Sequence, residues 1–173
     1  MPASAVPSPL PSSQRGPRLL LAGFVAGALG VLLFHQPLLA LLTQAGLANA
    51  TPYATRPAAL TGVPQIVSTS FWGGLWGVVF ALVLPRFGGA ARRLAAGLVL
   101  GALLPSLVAW FVVQPLRGLP PGNGWKPQSI ATALSVNGAW GLGTAIVLAL
   151  VAGPRRRVAA RAGAATPGGA SVR

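Results

Sequence analysis

The chain lacks acidic side chains altogether: its 173 residues include no Asp, no Glu, no Cys and a single His. Its 13 Lys and Arg residues give a net charge of +13, and no side-chain carboxylate is present to neutralise it. The absence of cysteine excludes disulfides, thiolate metal sites and thiol catalysis. The absence of carboxylates removes common general acids and bases. We therefore expect neither an enzyme nor a bound metal or cofactor.

Charge is scarce in general, because only 8% of the residues are charged and 53% are hydrophobic. Soluble domains carry about 25% charged residues, so this composition cannot cover a water-soluble surface. A helix of about 20 apolar residues crosses the ~30 Å hydrocarbon core of a bilayer. Four apolar segments have about this length, at 19–42, 65–84, 94–113 and 130–151. The predicted fold class is all-α, an integral membrane four-helix bundle.

The basic residues predict the orientation of these segments. With the N-terminus in the cytoplasm, three basic residues lie outside and ten inside, namely Arg15, Arg18, Arg86, Arg92, Arg93, Arg155, Arg156, Arg157, Arg161 and Arg173. This bias follows the positive-inside rule of bacterial inner membranes. Segments 1–17 and 154–173 are then expected to be disordered cytoplasmic tails. Arg155, Arg156 and Arg157 are expected to anchor to anionic lipid headgroups, without specific nucleic-acid binding.

A cleaved signal peptide is an alternative for the first segment, because an A-x-A-like pattern occurs at 48–50. The apolar run before it is about 24 residues long, whereas the core of a signal peptide usually has 7–15. The length favours a transmembrane helix.

Short blocks recur in the same order in the two halves of the chain. The matched pairs are AGFVAGAL and AGLVLGAL at 22–29 and 96–103, QPL at 36–38 and 114–116, PQ at 64–65 and 127–128, and GLWG and GAWG at 74–77 and 138–141. We interpret them as a tandem duplication of a two-helix hairpin. The two hairpins would be parallel repeats related by an axis along the membrane normal.

Small residues recur at four-residue spacing in every segment. The predicted helix-packing glycines are Gly23, Gly27, Gly73, Gly77, Gly97, Gly101 and Gly141. Such stripes let helix backbones approach closely in lipid, so a tight bundle is expected. Trp72, Trp76 and Trp140 lie beside glycines and are expected to fill core gaps, with ligand stacking as the alternative.

Six polar residues within or at the ends of the segments are candidate functional residues: His35, Gln36, Gln65, Gln114, Gln128 and Asn137. Asn137 suits a hydrogen bond between helices, or contact with a solute. His35 is expected near the outer headgroups, where water or residues near Gln36 satisfy it. A pH-sensing, haem or quinone contact is its alternative. The glutamines recur near the outer side and suit solute contact.

Three stretches carry a resemblance to other proteins: FHQPLLALL at 34–42, TPYATRPAALTGVP at 51–64 and STSFWGGLWG at 68–77. There the chain resembles a group of small uncharacterised bacterial inner-membrane proteins, with an FHQ block in the first span and an FWGGLWG-like block in the second. The resemblance implies a four-span inner-membrane protein and no particular activity.

Two functional hypotheses follow. The first is a structural or accessory component of a membrane complex. It would bind its partner through glycine stripes, because the chain has more of this contact surface than the packing of its own four helices requires. The second is a small channel or carrier for a neutral or anionic solute, as a monomer or a dimer. The first is preferred, and the choice between a homo-oligomer and another membrane-protein partner stays open.

Overall fold

The computed structural model describes residues 12–59 and 61–152, and within these residues the regular structure is entirely helical. Four helices are long and apolar enough to cross a membrane, and we number them spans 1 to 4: Gly16–Gln44, Gln65–Arg86, Ala90–Leu116 and Pro127–Val151. Large apolar side chains such as Leu21, Leu41 and Leu150 remain exposed on the outside of the bundle. A bundle surrounded by lipid exposes such side chains without penalty. The predicted all-α membrane bundle is confirmed.

The helix ends differ from the expected bounds by a few residues. The first helix begins at Ser12. The disordered tail predicted at 1–17 is therefore wrong for residues 12–17, which are helical. Pro17 lies inside this helix, close to its start. Span 3 begins at Ala90 and not at residue 94. The expected C-terminal tail at 154–173, including Arg155, Arg156 and Arg157, lies outside the described residues.

Spans 1 and 3 each contain one π-helical turn directly before a Gln-Pro-Leu sequence. The two turns are Val31–His35 and Ala109–Val113. In each, the backbone N–H of the following glutamine donates to the carbonyl five residues earlier. The wider turn carries the helix through a proline, which has no N–H and normally clashes with the carbonyl four residues back. Span 3 therefore continues to Leu116, past Pro115, where a helix end is expected from the sequence.

The long loop after span 1 is tied back onto that span by Tyr53. At the π turn, Pro37 leaves the carbonyl of Leu32 without its helical donor. The Tyr53 hydroxyl donates to this carbonyl at 2.8 Å, and the Tyr53 backbone N–H donates to Gln36 Oε1 at 2.8 Å. The loop thus lies over the end of the bundle opposite the start of span 1 and the end of span 4.

The two hairpins, spans 1–2 and spans 3–4, both close through glycines. A Cβ atom built on Gly27 would lie 2.8 Å from Gly77 Cα, and one built on Gly101 would lie 2.7 Å from Gly141 Cα. Real Cβ atoms do not approach so closely, so the two backbones are in direct contact. The next contacts along the two stripes are also equivalent. Gly23 contacts Ala81 in the first hairpin, and Gly97 contacts Ala145 in the second.

The hairpins meet through spans 1 and 4, which pack side by side at the centre of the bundle. Trp140 of span 4 closes this seam: it is 2% exposed, and its Nε1 donates to the Gly27 carbonyl at 2.8 Å. Its ring centroid lies 5.0 Å from that of Phe80 in span 2. Spans 2 and 3 flank this centre and make almost no contact with each other, except where segment Leu84–Arg86 touches span 3. The bundle is closed between spans 1 and 4 and open between spans 2 and 3.

Candidate functional site

The opening between spans 2 and 3 forms a cavity of about 940 Å³, which we call the lateral cleft. Val31 and His35 of span 1 and Asn137 and Trp140 of span 4 form its floor. The walls are apolar and come from spans 2 and 3, with Trp72, Leu75, Trp76, Val79, Val108, Val112 and Leu116 among their residues. All four spans therefore contribute to one site.

The lateral cleft is closed at one end. Its lining reaches Val79 in span 2 and Pro105 in span 3, and Leu84–Arg86 contacts span 3 beyond that depth. Toward the membrane the cleft is open, since its wall residues Trp72 and Val112 are 56% and 49% exposed. A molecule dissolved in the bilayer can enter from the side, but the cleft does not form a pore through the bundle.

His35 lies where the lateral cleft meets a second cavity of about 230 Å³ beneath the loop that follows span 1. Its Nδ1 is buried and has no hydrogen-bond partner among the described residues. The neighbouring Gln36 does not bond this nitrogen, and Gln36 Oε1 accepts the Tyr53 backbone N–H. A buried polar atom without a partner costs free energy, so His35 Nδ1 is an unsatisfied polar atom at the boundary between the two cavities.

Gln36 and Gln114 anchor loops. Gln36 Oε1 accepts the N–H of Tyr53 at 2.8 Å, and Gln114 Oε1 accepts the N–H of Asn123 at 3.0 Å. The two donor residues have nearly the same left-handed backbone, with φ of 51° and 52°. Each hairpin therefore fixes the loop between its helices by the same contact, which gives these glutamines an architectural task.

Gln65 and Gln128 open spans 2 and 4, and only Gln65 lines the lateral cleft. Gln65 Oε1 accepts a hydrogen bond from Arg56 Nε at 3.0 Å, and the Gln65 backbone N–H donates to the Arg56 carbonyl at 2.9 Å. Gln128 Nε2 donates to the Gly46 carbonyl at 3.3 Å, outside the cleft. The structure thus brings His35, Gln65 and Asn137 together in the cleft and leaves the other three candidates apart from it.

Two arginines at the mouth of the cleft, Arg56 and Arg117, belong to this site although they are not among the residues predicted for it. The sequence shows Arg56 and Arg117 only as basic residues on the outer side of the predicted topology. A usable signal was present, because only three basic residues lie outside in the predicted topology and the third, Lys126, is not in the cleft lining. Sequence alone could not show that the other two line the same cleft.

Asn137 joins the two helices of the second hairpin. Its Nδ2 donates to Ser106 Oγ of span 3 at 2.9 Å, and Ser106 is fully buried. The corresponding position in the first hairpin is Gly73, where Val31 fills the space. The asparagine therefore introduces a polar cross-helix contact at the floor of the cleft.

A double-mutant cycle of Asn137→Ala and Ser106→Ala is expected to give a coupling free energy of about 0.6 kcal/mol, and no more than about 1.7 kcal/mol, because hydrogen bonds between membrane helices are weak. The measurement is reversible unfolding in mixed micelles. A coupling of zero would contradict the contact between the two side chains.

Trp76 occupies the motif position in span 2 that Trp140 occupies in span 4, but its surroundings differ. Trp140 donates to the carbonyl of Gly27 in span 1, and the position in span 3 that matches Gly27 is Gly101. The Gly101 carbonyl would therefore be the equivalent acceptor for Trp76, and it lacks a helical donor because Pro105 has no N–H. Trp76 instead lines the lateral cleft, as does Trp72. The expected core packing holds for Trp140 and in part for Trp76, which is partly buried and packs against the same cluster. It is wrong for Trp72, which is more than half exposed.

The glycine stripes form the contact between the two helices of each hairpin. Cβ atoms built on Gly23 and Gly27 would meet span 2, and those built on Gly97 and Gly101 would meet span 4. These faces are consequently covered and cannot serve a partner, so the proposed docking through surplus glycine stripes loses its structural basis.

The lining of the cleft combines apolar side chains with neutral polar residues and two arginines. Within residues 12–59 and 61–152 no cluster of three or more His, Cys, Asp and Glu could hold a metal ion. Comparison with known proteins finds no matching family model, no similar curated protein and no matching solved structure. A functional assignment therefore depends on the geometry of the cleft itself.

Proposed function

We propose that this protein is a non-enzymatic accessory component of the bacterial inner membrane that binds a lipid-like amphiphile in the lateral cleft. The observation that carries the proposal is the asymmetry of the bundle: Trp140 closes the seam between spans 1 and 4, while the seam between spans 2 and 3 is open. The open seam combines apolar walls with a polar floor and mouth, as an amphiphile requires.

The size of the cleft suits a small occupant. Ligand sites typically enclose about 300–1,000 Å³, and the lateral cleft, at about 940 Å³, lies within that range.

The closed inner end of the cleft supports binding and speaks against a channel for a neutral or anionic solute. A carrier would additionally need an opening on the opposite side of the bundle. Segment Leu84–Arg86 packs against span 3 at that end. Holding a membrane molecule fits an accessory role, in which a partner complex receives or senses the bound molecule.

The membrane and orientation in this proposal come from the sequence. Ten of 13 basic residues fall on the side of the termini, which favours cytoplasmic termini in a bacterial inner membrane. The resemblance to small inner-membrane proteins supports the same placement. The absence of Asp, Glu and Cys from the sequence favours a role without catalysis.

An internal duplication is part of the proposal. The repeated sequence blocks coincide with matching π turns, matching glycine contacts and matching glutamine bonds to loop residues with left-handed backbone. In a duplicated hairpin the two seams would be equivalent, so the open seam marks where the two halves have diverged.

Photo-crosslinking from inside the cleft tests the binding role. A benzophenone amino acid replaces Val112 of the cleft wall or, as a matched control, Phe111 of the same helical turn, which is 57% exposed and lies outside the cleft lining. We expect lipid adducts at both positions in membranes. After detergent extraction, adducts should persist only at Val112, because only a bound lipid is retained.

Equal loss of lipid adducts at the two positions after extraction would contradict lipid binding in the cleft. A discrete protein adduct at Val112 would indicate that a protein, and not a lipid, occupies the cleft. Affinity purification in mild detergent tests the accessory role separately: a pure homo-oligomer without another protein would count against it.

A further inference from the structure

The mouth of the lateral cleft carries most of the positive charge at its end of the bundle. Arg56 and Arg117 line the mouth, whereas Lys126 lies outside the cleft. The sequence contains no Asp or Glu, so no acidic side chain of this chain can neutralise either arginine. Fixed charge of one sign at the mouth of an apolar site attracts a ligand of the opposite sign.

The guanidinium of Arg56 is held in place by span 2. Its Nε donates to Gln65 Oε1 at 3.0 Å, and the backbones of the two residues are bonded at 2.9 Å. The bridge between Pro57 and Pro64 closes the loop at the same place. Because Nε is engaged, the two terminal NH₂ groups remain for a ligand, and a planar guanidinium binds phosphate oxygens in a bidentate manner.

We infer that the occupant of the cleft is an anionic lipid, whose phosphate-bearing headgroup binds Arg56 and Arg117 while its acyl chains lie along the apolar walls. The inference rests on the proposed lipid binding and adds its headgroup chemistry. The walls below the arginines, including Trp72, Val79 and Val112, are partly exposed and apolar. These walls favour a lipid over a free phosphate ion, which they could not bind.

The floor of the cleft contributes neutral polar groups and no acidic group. Asn137 and Thr69 line it, and the unpartnered Nδ1 of His35 is nearby. No carboxylate is present to repel an anion at any depth, since the sequence has none. Ester or hydroxyl groups of a lipid at the top of its chains can meet these polar residues.

The test uses the full chain in phosphatidylcholine nanodiscs that contain a small amount of a lipid probe with a photoreactive acyl chain. The probe is phosphatidylglycerol in one set and phosphatidylcholine in the other, and labelled peptides are mapped by mass spectrometry. Wild-type protein is expected to show preferential phosphatidylglycerol labelling of spans 2 and 3 at the cleft.

Arg117→Gln is the main variant, because the Arg117 side chain is exposed and makes no hydrogen bond within the described residues. We expect it to lower the preference for phosphatidylglycerol about fivefold, and Arg56→Gln with Arg117→Gln to lower it about thirtyfold, from about 1 kcal/mol per arginine. Lys126→Gln is the matched control, a basic residue at the same end of the bundle, and should change nothing. Arg117→Gln keeps the test valid if Arg56→Gln disturbs the loop.

Each result separates one claim from the others. Equal labelling of the cleft by both probes, or an equal effect of Lys126→Gln and Arg117→Gln, overturns the anionic headgroup and leaves lipid binding intact. Absence of cleft labelling with either probe overturns the proposed function itself. If millimolar inorganic phosphate abolishes the preference for phosphatidylglycerol, the arginines bind the free ion as strongly as the lipid headgroup, and the lipid is not their specific ligand.

Discussion

Replacing Trp140 with alanine is expected to lower the free energy of unfolding by about 3–5 kcal/mol, the usual cost of deleting a buried tryptophan. Trp140 is 2% exposed, contacts Phe80 and donates a hydrogen bond to Gly27. One side chain thus joins spans 1, 2 and 4, so its loss should separate the two hairpins. Reversible unfolding in mixed micelles measures the change.

Trp76→Ala is the matched control, because it removes the same side chain from the same motif position. Trp76 is only partly buried against the core and also lines the open cleft, so its removal should cost clearly less than the removal of Trp140. Equal losses for the two tryptophans would mean that the seam between spans 2 and 3 is closed, contrary to the structure. Trp140→Phe should retain most of the packing and lose about 1 kcal/mol through the missing hydrogen bond.

Gly27→Val is expected to abolish the native hairpin of spans 1 and 2, or to destabilise it by at least about 3 kcal/mol, the upper end of overpacking costs. The first atom of any side chain at this position would lie 2.8 Å from Gly77 Cα, in contact with backbone that cannot rotate away. The expected readout is loss of the monodisperse folded species in detergent, together with a lower unfolding midpoint.

Gly16→Val is the control for this substitution, because Gly16 lies in the same helix and a Cβ atom there meets nothing within 4 Å. It should leave folding unchanged. Gly101→Val should behave like Gly27→Val, since the second hairpin closes by the same contacts. A folded and stable Gly27→Val protein would show that the two backbones are farther apart than described.

The sequence predicts the helices of this protein well because hydropathy and segment length are local properties. The glycine spacing likewise indicates which helix faces approach each other, and Gly27 and Gly101 both lie at such contacts. The end of span 3 is different: Pro115 suggests a helix end, and only the π turn at Ala109–Val113 lets the helix continue. A change of hydrogen-bond register is not visible in residue types.

The candidate site was partly accessible from the sequence. His35, Gln65 and Asn137 stand out as polar residues in apolar surroundings, and all three line the cleft. Gln36 and Gln114 stand out equally, yet they hold loops. The difference lies in the position of distant residues, Tyr53 and Asn123, whose backbone N–H groups occupy the two glutamine oxygens.

By itself, the sequence determines a four-span helical membrane protein with glycine faces and no acid or thiol chemistry, because composition and spacing suffice for these properties. The tertiary structure alone decides which seam of the bundle is closed. Trp76 and Trp140 occupy the same motif, and the local sequence around them does not distinguish their roles. Only the packing of span 4 against span 1, and the separation of span 2 from span 3, makes Trp140 a core residue and Trp76 the wall of a cleft.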